Sequence, residues 1–469
     1  MSRLAISTLL IGCSQFVIGW SIESTAAVDL AAAEAKPESA MTHTESARVV
    51  LRDQEHGRTL QTFCLGPDGR VFALIAPAPY YGVDDGSNKH SVGGEIRVLD
   101  ALGSERSKWP VAFTPQRLGA APDGEIYVGG SGRLARYSSE GKLLAEIDSP
   151  HLAELTKNPE ALREQAEAQR KSSIESYASQ LKLFDEQIKR LEKQVQDEQA
   201  PDEGKKPSGH NTSTKPSAES DEITTAFIVF SSEGEPVANP TSRQQLENMK
   251  RIRKNYAEML ETQEKKTVDD VIQEITARLR RIHGITIAGE DLFVATAITK
   301  GYGFAVWRMT RDFQDAKQIV TGLSGCCGQI DIQARGGELF VAENSRHRVV
   351  RYNRDGKQSA SWGKRDRDGE GAGFGGCCNP MNLCFTKDAG ILTAESEGLV
   401  KCFSADGTYE RTVAGAKVGG GCKNVAIAVS PDGKHLYFYD QQGSQIIILD
   451  RTDSADPKPQ AKPDQVGRR

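Results

Sequence analysis

The chain has 469 residues, of which 26% are charged and 38% hydrophobic, and its formal net charge is −5. This length suits two or three domains or one large repeat domain, and the charge excludes a strongly basic nucleic-acid-binding surface. The 45 glycines indicate many tight turns. We therefore expect a turn-rich globular protein that does not bind nucleic acid.

The first residues have the pattern of an export signal. Arg3 is followed by the apolar run "LAISTLLIGCSQFVIGW" (4–20) and then by the small residues "STAA" (24–27). This arrangement predicts a signal peptide over 1–26 and an exported protein, periplasmic or extracellular. In an alternative interpretation "LIGC" (10–13), which resembles a bacterial lipobox, carries a lipid on Cys13 that anchors the protein. No other segment has the roughly 18 consecutive apolar residues of a membrane span.

Six segments share one pattern of an apolar strand, a polar loop, a second apolar strand and a turn. They are 70–103, 125–142, 291–312, 338–357, 390–409 and 435–453. Phe293, Phe340, Leu392 and Tyr437 hold equivalent places and lie 47, 52 and 45 residues apart. Repeats of this length with three or four short strands are typical of β-propeller blades. The sequence therefore predicts an all-β, six-bladed propeller.

The repeats also predict the domain limits. Blades 1 and 2 are expected within 47–149 and blades 3 to 6 within 283–451. The strand "ARVVLRD" (47–53) has no copy of its own, and we expect it to supply the outer strand of blade 6, so that no sheet edge stays open. The polar residues 452–469 are predicted to form a disordered tail.

Residues 150–282 interrupt the repeats with a helical pattern. Apolar residues recur every three or four positions over 174–195 and over 246–259, which predicts a helical hairpin or coiled coil between blades 2 and 3. The polar stretch 197–222 cannot bury a core and is predicted to be disordered. The hairpin either packs on itself without a binding role or forms a stalk that a partner protein binds. The length of the apolar seam favours the stalk.

Two of the segments carry a family resemblance. "GEGAGFGGCCNPMNL" with "ILTAES", and "ELFVAENSRHRVVRYNRDGK", resemble NHL repeats, which have Gly-x-Phe, a proline before the first strand, an aromatic-Val-Ala-acid strand and a later Arg-Val and Asp-Gly. The match is close over 323–410, fair over 112–142 and 420–450, and weak over 59–103 and 283–320. The resemblance implies a secreted six-bladed propeller. It implies no single chemistry, because this fold serves binding modules, lactonases and lyases.

Five cysteines are expected at one mouth of the channel. Cys327, Cys378 and Cys422 begin the first strands of three successive blades, and Cys326 and Cys377 come one residue earlier. Three interpretations remain open. Disulfides join neighbouring blades, a vicinal disulfide forms within each Cys-Cys pair, or the thiolates bind a soft metal ion such as zinc or Cu(I). Export favours disulfides, since eight of the nine cysteines remain after removal of Cys13.

Other polar residues are expected to line the channel. Asp331 and Asn382 lie on predicted first strands, where their oxygens suit a divalent cation, and His283 is the one histidine expected on the channel side. The NHL-like lactonases implied by the resemblance have an acidic residue on the first inner strand, which "LQTFCLG" (60–66) lacks. The histidine zinc site of the amidating lyases is not visible either.

These observations favour a non-enzymatic role. We expect a scaffold that binds a protein or extracellular ligand through the helical insertion or a propeller face. The alternative is an enzyme at the channel mouth, either a metal-dependent hydrolase or lactonase or a thiol redox protein. No cofactor is assigned beyond a divalent or soft metal ion at the residues named above.

Overall fold

The computed structural model describes residues 41–77, 93–153, 157–199, 241–299, 301–366, 371–418, 421 and 423–452. The predicted signal peptide, Cys13, Cys422 and the tail from residue 453 lie outside these residues. So does the 200–222 part of the polar stretch. No helix among the described residues is long and apolar enough to cross a membrane.

The described chain is mostly β, as predicted, and its strands form six antiparallel sheets. Sheet 1 contains β2 (Arg52–Asp53), β3 (Arg58–Leu65), β4 (Val71–Pro77), β5 (Gly94–Leu99) and β6 (Glu105–Val111). Sheet 2 contains β7 (Arg117–Ala120), β8 (Ile126–Gly130), β9 (Arg133–Tyr137) and β10 (Leu143–Asp148). Sheet 3 contains β11 (Ile282–Ala288), β12 (Asp291–Ala297), β13 (Phe304–Thr310) and β14 (Lys317–Leu323).

The remaining three sheets follow the same meander. Sheet 4 contains β15 (Asp331–Arg335), β16 (Glu338–Glu343), β17 (Arg348–Tyr352) and β18 (Gln358–Trp362). Sheet 5 contains β19 (Asn382–Phe385), β20 (Ile391–Ala394), β21 (Leu399–Phe403) and β22 (Tyr409–Gly415). Sheet 6 contains β23 (Ile427–Val429), β24 (His435–Asp440), β25 (Gln445–Arg451) and, from the other end of the chain, β1 (His43–Val50).

The boundaries near the two chain ends differ from the prediction. The strand expected at 47–53 is β1, which starts at His43 and pairs with β25, while Arg52–Asp53 pairs with β3 instead. Thr452, placed in the predicted tail, donates its backbone N–H to the Thr42 carbonyl. The alternating pattern alone could not locate the start of β1 or the pairing of Thr452, because both depend on contacts between residues some 400 positions apart.

The hydrophobic core lies between neighbouring sheets. One apolar cluster packs between each consecutive pair, and the cluster of sheets 6 and 1 joins Tyr437 and Ile448 to Phe63 and Ile75. Six strands, one from each sheet, lie side by side in the order β3, β7, β11, β15, β19 and β23, and β23 lies beside β3. We call these six the first strands. Strands that are covered on both faces do not alternate buried and exposed side chains. In β12 every side chain is buried.

Two glycines in turns of the repeat pack against tryptophans of the preceding sheet. Trp109 of sheet 1 packs on Gly141 in a turn of sheet 2, and Trp362 of sheet 4 packs on Gly407 in the matching turn of sheet 5. Both glycines have φ of +90°, and a Cβ there would come within 2.3 and 2.5 Å of the indole rings, respectively. Each turn therefore requires glycine for its backbone conformation and for the close approach of the tryptophan.

The inserted region is helical, as predicted, and lies between β10 and β11 in the chain. It contains α1 (Pro159–Gln199), α2 (Ser242–Lys265) and α3 (Val268–Leu279). Because α1 continues to Gln199, residues 197–199 are helical rather than disordered. The described residues between 160 and 272 belong to one compact unit and the six sheets belong to another.

The helical unit has its own core. Phe184 and Ile188 of α1 pack against Met249 of α2, which are residues of the predicted apolar seam. Tyr256 makes an edge contact with the Phe184 ring at 4.9 Å between centroids. Beside this core, Arg253 donates a hydrogen bond to Asp185 at 2.7 Å. The seam is therefore filled by contacts between the two helices themselves.

Candidate functional site

A cavity of about 250 Å³ lies among the first strands of the six sheets. All six of these strands, or the residues just before them, contribute to its lining. Among the described residues, its charged side chains are Arg117 of β7 and Asp331 of β15. Cys64 and Cys384 also line it. The cavity is therefore enclosed largely by backbone and uncharged side chains.

Polar residues of the cavity lining form hydrogen bonds that connect neighbouring first strands. Asp331 Oδ2 accepts from Leu383 N at 2.9 Å, and Asn382 Oδ1 accepts from Val425 N at 2.9 Å. Arg117 Nε donates to the His283 carbonyl at 2.9 Å. The structure thus places Asp331 and Asn382 in the lining of one cavity, where both contribute oxygens to contacts between sheets.

The carboxyl group of Asp331 is also affected by its surroundings. Burial raises its pKa to about 6, against the lowering effect of hydrogen bonds from Leu383, Asn382 and Gln333 and of the Arg117 charge. These three donors use most of the lone pairs that a carboxylate offers. The geometry therefore assigns Asp331 a role in joining sheets 4 and 5.

His283 is buried and supports the loop before β15. Its Nδ1 lies 2.9 Å from the Gly328 carbonyl, so the Nδ1–H group donates a hydrogen bond to this oxygen. Burial, with the nearby charges of Arg117 and Arg281, lowers the pKa of His283 to about 3. The imidazole is therefore neutral at physiological pH and fixes the position of the loop that carries the first cysteine pair.

Three cysteines from two loops form a compact group of sulfur atoms. The Sγ atoms of Cys326, Cys327 and Cys378 all lie within 4.8 Å of one another. Within the first pair, the Sγ atoms of Cys326 and Cys327 are 3.6 Å apart. Cys327 is exposed, Cys326 is half-buried and Cys378 is buried. We call these three residues the thiol cluster; it is open to solvent on one side and enclosed on the other.

Hydrogen bonds hold the first cysteine loop in place. Cys326 N donates to Asn344 Oδ1 at 2.7 Å, and Gln329 N donates to the Cys326 carbonyl at 3.0 Å. Cys327 has a left-handed backbone conformation with φ of +53°, which a residue with a Cβ adopts only when its surroundings impose it. The positions of both thiols are therefore determined by the fold of the loop.

The second cysteine loop is held by an asparagine. Asn379 Nδ2 donates to Glu397 at 2.7 Å and to the Gly375 carbonyl at 3.0 Å, and its Oδ1 accepts from Ser396 N at 2.8 Å. In this loop the Sγ atoms of Cys377 and Cys378 are 3.1 Å apart. Both vicinal pairs are thus in contact at distances longer than the roughly 2.05 Å of an S–S bond.

Acidic residues at the end of the second strands hold the incoming loops. Glu343 accepts hydrogen bonds from Ser324 N at 2.9 Å and from Arg348 at 2.6 Å. Glu395 accepts one from Gly375 N at 3.3 Å. These contacts give the two glutamates, which hold equivalent places in sheets 4 and 5, a structural role in fixing the loops.

The other cysteines of the described chain are structural. Burial raises the pKa of Cys64 to about 12 and that of Cys402 to about 12, and it also raises the pKa of Cys384. Their thiols therefore stay protonated and behave as small apolar groups.

Arg117 and Lys401 are not recognisable as site residues from the sequence. Arg117 is the one cation of the described cavity lining, and a charged residue at the start of a channel-lining strand was the available signal. Lys401 is only 1% exposed, contacts the Gly373 carbonyl and pairs with Glu395 at 2.5 Å. Its place in an apolar alternation gave no indication that its ammonium group would be enclosed.

Comparisons with known proteins give little further information. No protein-family profile matches the chain, and no curated protein matches it. Among solved structures the chain is similar to a gluconolactonase from Xanthomonas campestris, with 7% sequence identity and a TM-score of 0.37. The match covers 88% of this chain and 97% of the other. A likeness of this degree does not bear on the chemistry of the cavity or of the thiol cluster.

Proposed function

We propose that this chain is an exported binding scaffold in which the six sheets close into an NHL-like, six-bladed β-propeller. The order of the first strands supports closure, since β23 lies beside β3 and β1 pairs with β25. Closure by a strand from the other chain end protects the sheet edges, as propellers require. The ligand of the scaffold is a protein, bound through the helical insertion.

The observation that carries this proposal is the helical unit of residues 160–272. It forms a compact unit with its own apolar core around Phe184, Ile188 and Met249. All strands of sheets 2 and 3 come from residues outside it, so the unit contributes nothing to their pairing. A folded helical pair of this length, retained within a repeat protein, suits the presentation of a surface to a partner protein.

Photo-crosslinking tests the binding role. A photoreactive amino acid replaces Leu183, which is 52% exposed on α1, or Leu102, which is 71% exposed in a turn of sheet 1. In cells that naturally produce the protein, we expect a discrete protein adduct at 183 and none at 102. Absence of adducts at 183 and at further exposed positions along α1 would refute binding through the helices.

Lactone hydrolysis tests the alternative of a channel enzyme. Purified protein with added Ca²⁺ or Zn²⁺ is expected to leave the buffer rate unchanged, because Asp331 and Asn382 use oxygens in contacts between strands. A rate increase that depends on the ion and disappears in Asp331→Asn would instead establish a metal-dependent hydrolase.

A further inference from the structure

We propose that Cys326, Cys327 and Cys378 bind one soft metal ion, Cu(I), through three thiolates. This inference is independent of the protein-binding role of the helices. Sulfur atoms that share a metal at about 2.3 Å lie roughly 3.8 Å apart in tetrahedral and roughly 4.0 Å apart in trigonal geometry. The thiol cluster has one pair at 3.6 Å and all pairs within 4.8 Å. Small side-chain rotations are enough to reach ligand spacing.

The loops hold these sulfurs before any metal arrives. Asn344 binds the Cys326 N–H, and His283 binds the Gly328 carbonyl of the same loop. Asn379 holds the facing loop through Ser396 N and Glu397. Ligands on loops fixed by such contacts lose little conformational freedom on binding, which is the general requirement for a tight site.

The surroundings of the cluster favour a soft ion. Cys378 is part of an apolar core that includes Met381 and Ala416, and Cys326 packs against this core. Among the described histidine, cysteine and acidic residues, the group within ligand distance consists of three thiols and no oxygen or nitrogen donor. Thiolates without oxygen donors select Cu(I) or Zn²⁺. Zn²⁺ in structural sites takes four ligands, whereas the three thiolates that the described loops supply are enough for Cu(I) in a plane.

Access and proton balance also suit metal entry. Cys327 is exposed while Cys378 is buried, so an ion can reach the cluster from solvent and then be enclosed. Each thiol that becomes a ligand releases its proton to solvent. Binding therefore strengthens as the pH rises and requires no electron transfer when the ion is supplied as Cu(I).

A competition titration tests the site. The full chain is reduced, freed of reductant under nitrogen and titrated with Cu(I) against a chromophoric Cu(I) chelator, and the same protein is titrated with Zn²⁺. We expect one Cu(I) per chain, bound more tightly than Zn²⁺. Cys327→Ser, at an exposed position, should weaken Cu(I) binding by more than the roughly 10–100-fold that loss of a supporting contact costs.

Two control variants separate this site from other thiols. Cys377→Ser removes the neighbouring thiol outside the cluster, and Cys64→Ala removes a thiol of sheet 1. Both should keep one Cu(I) with an affinity within about threefold of the wild type, because neither variant removes a ligand and substitutions away from a site usually have small effects. Failure of the wild type to compete for Cu(I), unchanged binding in Cys327→Ser, or tighter binding of Zn²⁺ would each overturn the proposal.

Discussion

At Glu395 and Lys401, two opposite charges are 2% and 1% exposed and lie 2.5 Å apart. Burial raises the pKa of Glu395, and the Lys401 charge opposes that effect. The same ammonium group reaches the Gly373 carbonyl and lies 5.5 Å from the centroid of the Phe374 ring. The residues "GFGG" before the second cysteine pair are thus attached to β21 through one buried lysine.

Loss of this lysine should destabilise the protein strongly. Lys401→Met leaves Glu395 buried without a cation, and removal of one partner from a buried pair costs about 3–5 kcal/mol of unfolding free energy. The double variant Lys401→Met/Glu395→Gln should recover a large part of that loss, because no uncompensated charge remains. Denaturant unfolding of the three proteins measures both effects. A single-variant loss below about 1 kcal/mol would show that the pair is hydrated.

The raised pKa of Asp331 predicts a pH-dependent stability. Its folded-state pKa of about 6 exceeds the roughly 3.9 of an unfolded chain, so the folded protein binds a proton that the unfolded chain has released. The contribution of Asp331 to stability therefore falls as the pH rises from about 4 to about 6, by roughly 1–3 kcal/mol. Arg117 is the facing charge that limits the loss, and Cys384 stays protonated throughout.

Asp331→Asn should remove this slope and keep an acceptor for Leu383 N. The measurement is the difference in unfolding free energy between wild type and variant at pH 4.5, 5.5 and 6.5, with Asp355→Asn, a substitution at an exposed position, as control. The unfolding free energy of the variant, relative to that of the wild type, should increase as the pH rises. A constant difference across this range would mean that Asp331 titrates like an exposed carboxyl group.

At the scale of the elements, sequence patterns predicted most of what the structure contains. Each sheet could be predicted because local turns join its strands. Each helix could be predicted because its apolar residues recur every three or four positions. The thiol cluster was only partly visible. Aligning the first strands related Cys327 to Cys378, but that alignment also treats Cys326 and Cys377 as equivalent. The left-handed conformation of Cys327 and the differing hydrogen bonds of the two loops break this equivalence, and neither follows from residue spacing.

The limits of the helical insertion illustrate the same point. The sequence predicted an insertion of 150–282, whereas the compact helical unit covers 160–272. Residues on both sides of that unit contact each other: His151 Nδ1 lies 2.8 Å from Ser149 Oγ, and its Nε2 binds the Leu279 carbonyl. Burial lowers the pKa of His151. A buried contact between residues 128 positions apart leaves no pattern in the sequence around either residue, so it could not be predicted.

Excision of the insertion should leave the sheets folded. Replacing 160–272 with a Gly/Ser linker keeps Ser149, His151 and Leu279, and the product should unfold in one cooperative β transition. Removing 150–282 instead also deletes the His151 contact and Ile282 of β11, so this second version should be less stable by about 1–3 kcal/mol or more. Circular dichroism and denaturant unfolding compare the two. A molten product from the shorter excision would show that the sheets depend on the helices.

The two ends of the described chain meet in sheet 6, which makes the fold of the whole β unit depend on a strand from its N-terminal side. β1 pairs with β25 from His43↔Arg451 to Val50↔Gln445. Ser444 strengthens the junction, since its Oγ donates to the Leu51 carbonyl and accepts from Leu60 N. The last sheet is therefore complete only after the entire chain is available.

Truncation of β1 should consequently weaken the whole unit. Deletion of residues 1–51 leaves the outer edge of β25 unpaired, although its other edge still pairs with β24. It also removes Leu51, which is 3% exposed in the core shared by sheets 6 and 1. Ladder hydrogen bonds contribute about 1 kcal/mol each, so a loss of roughly 3 kcal/mol or more is expected, with association through the open edge. Deletion of residues 1–40 is the matched control, because it retains β1 and should unfold like the full chain. Calorimetry and light scattering distinguish the two products. If both unfold at the same temperature and stay monomeric, pairing of β1 with β25 is dispensable and the sheets hold their arrangement without closure by the N-terminal strand.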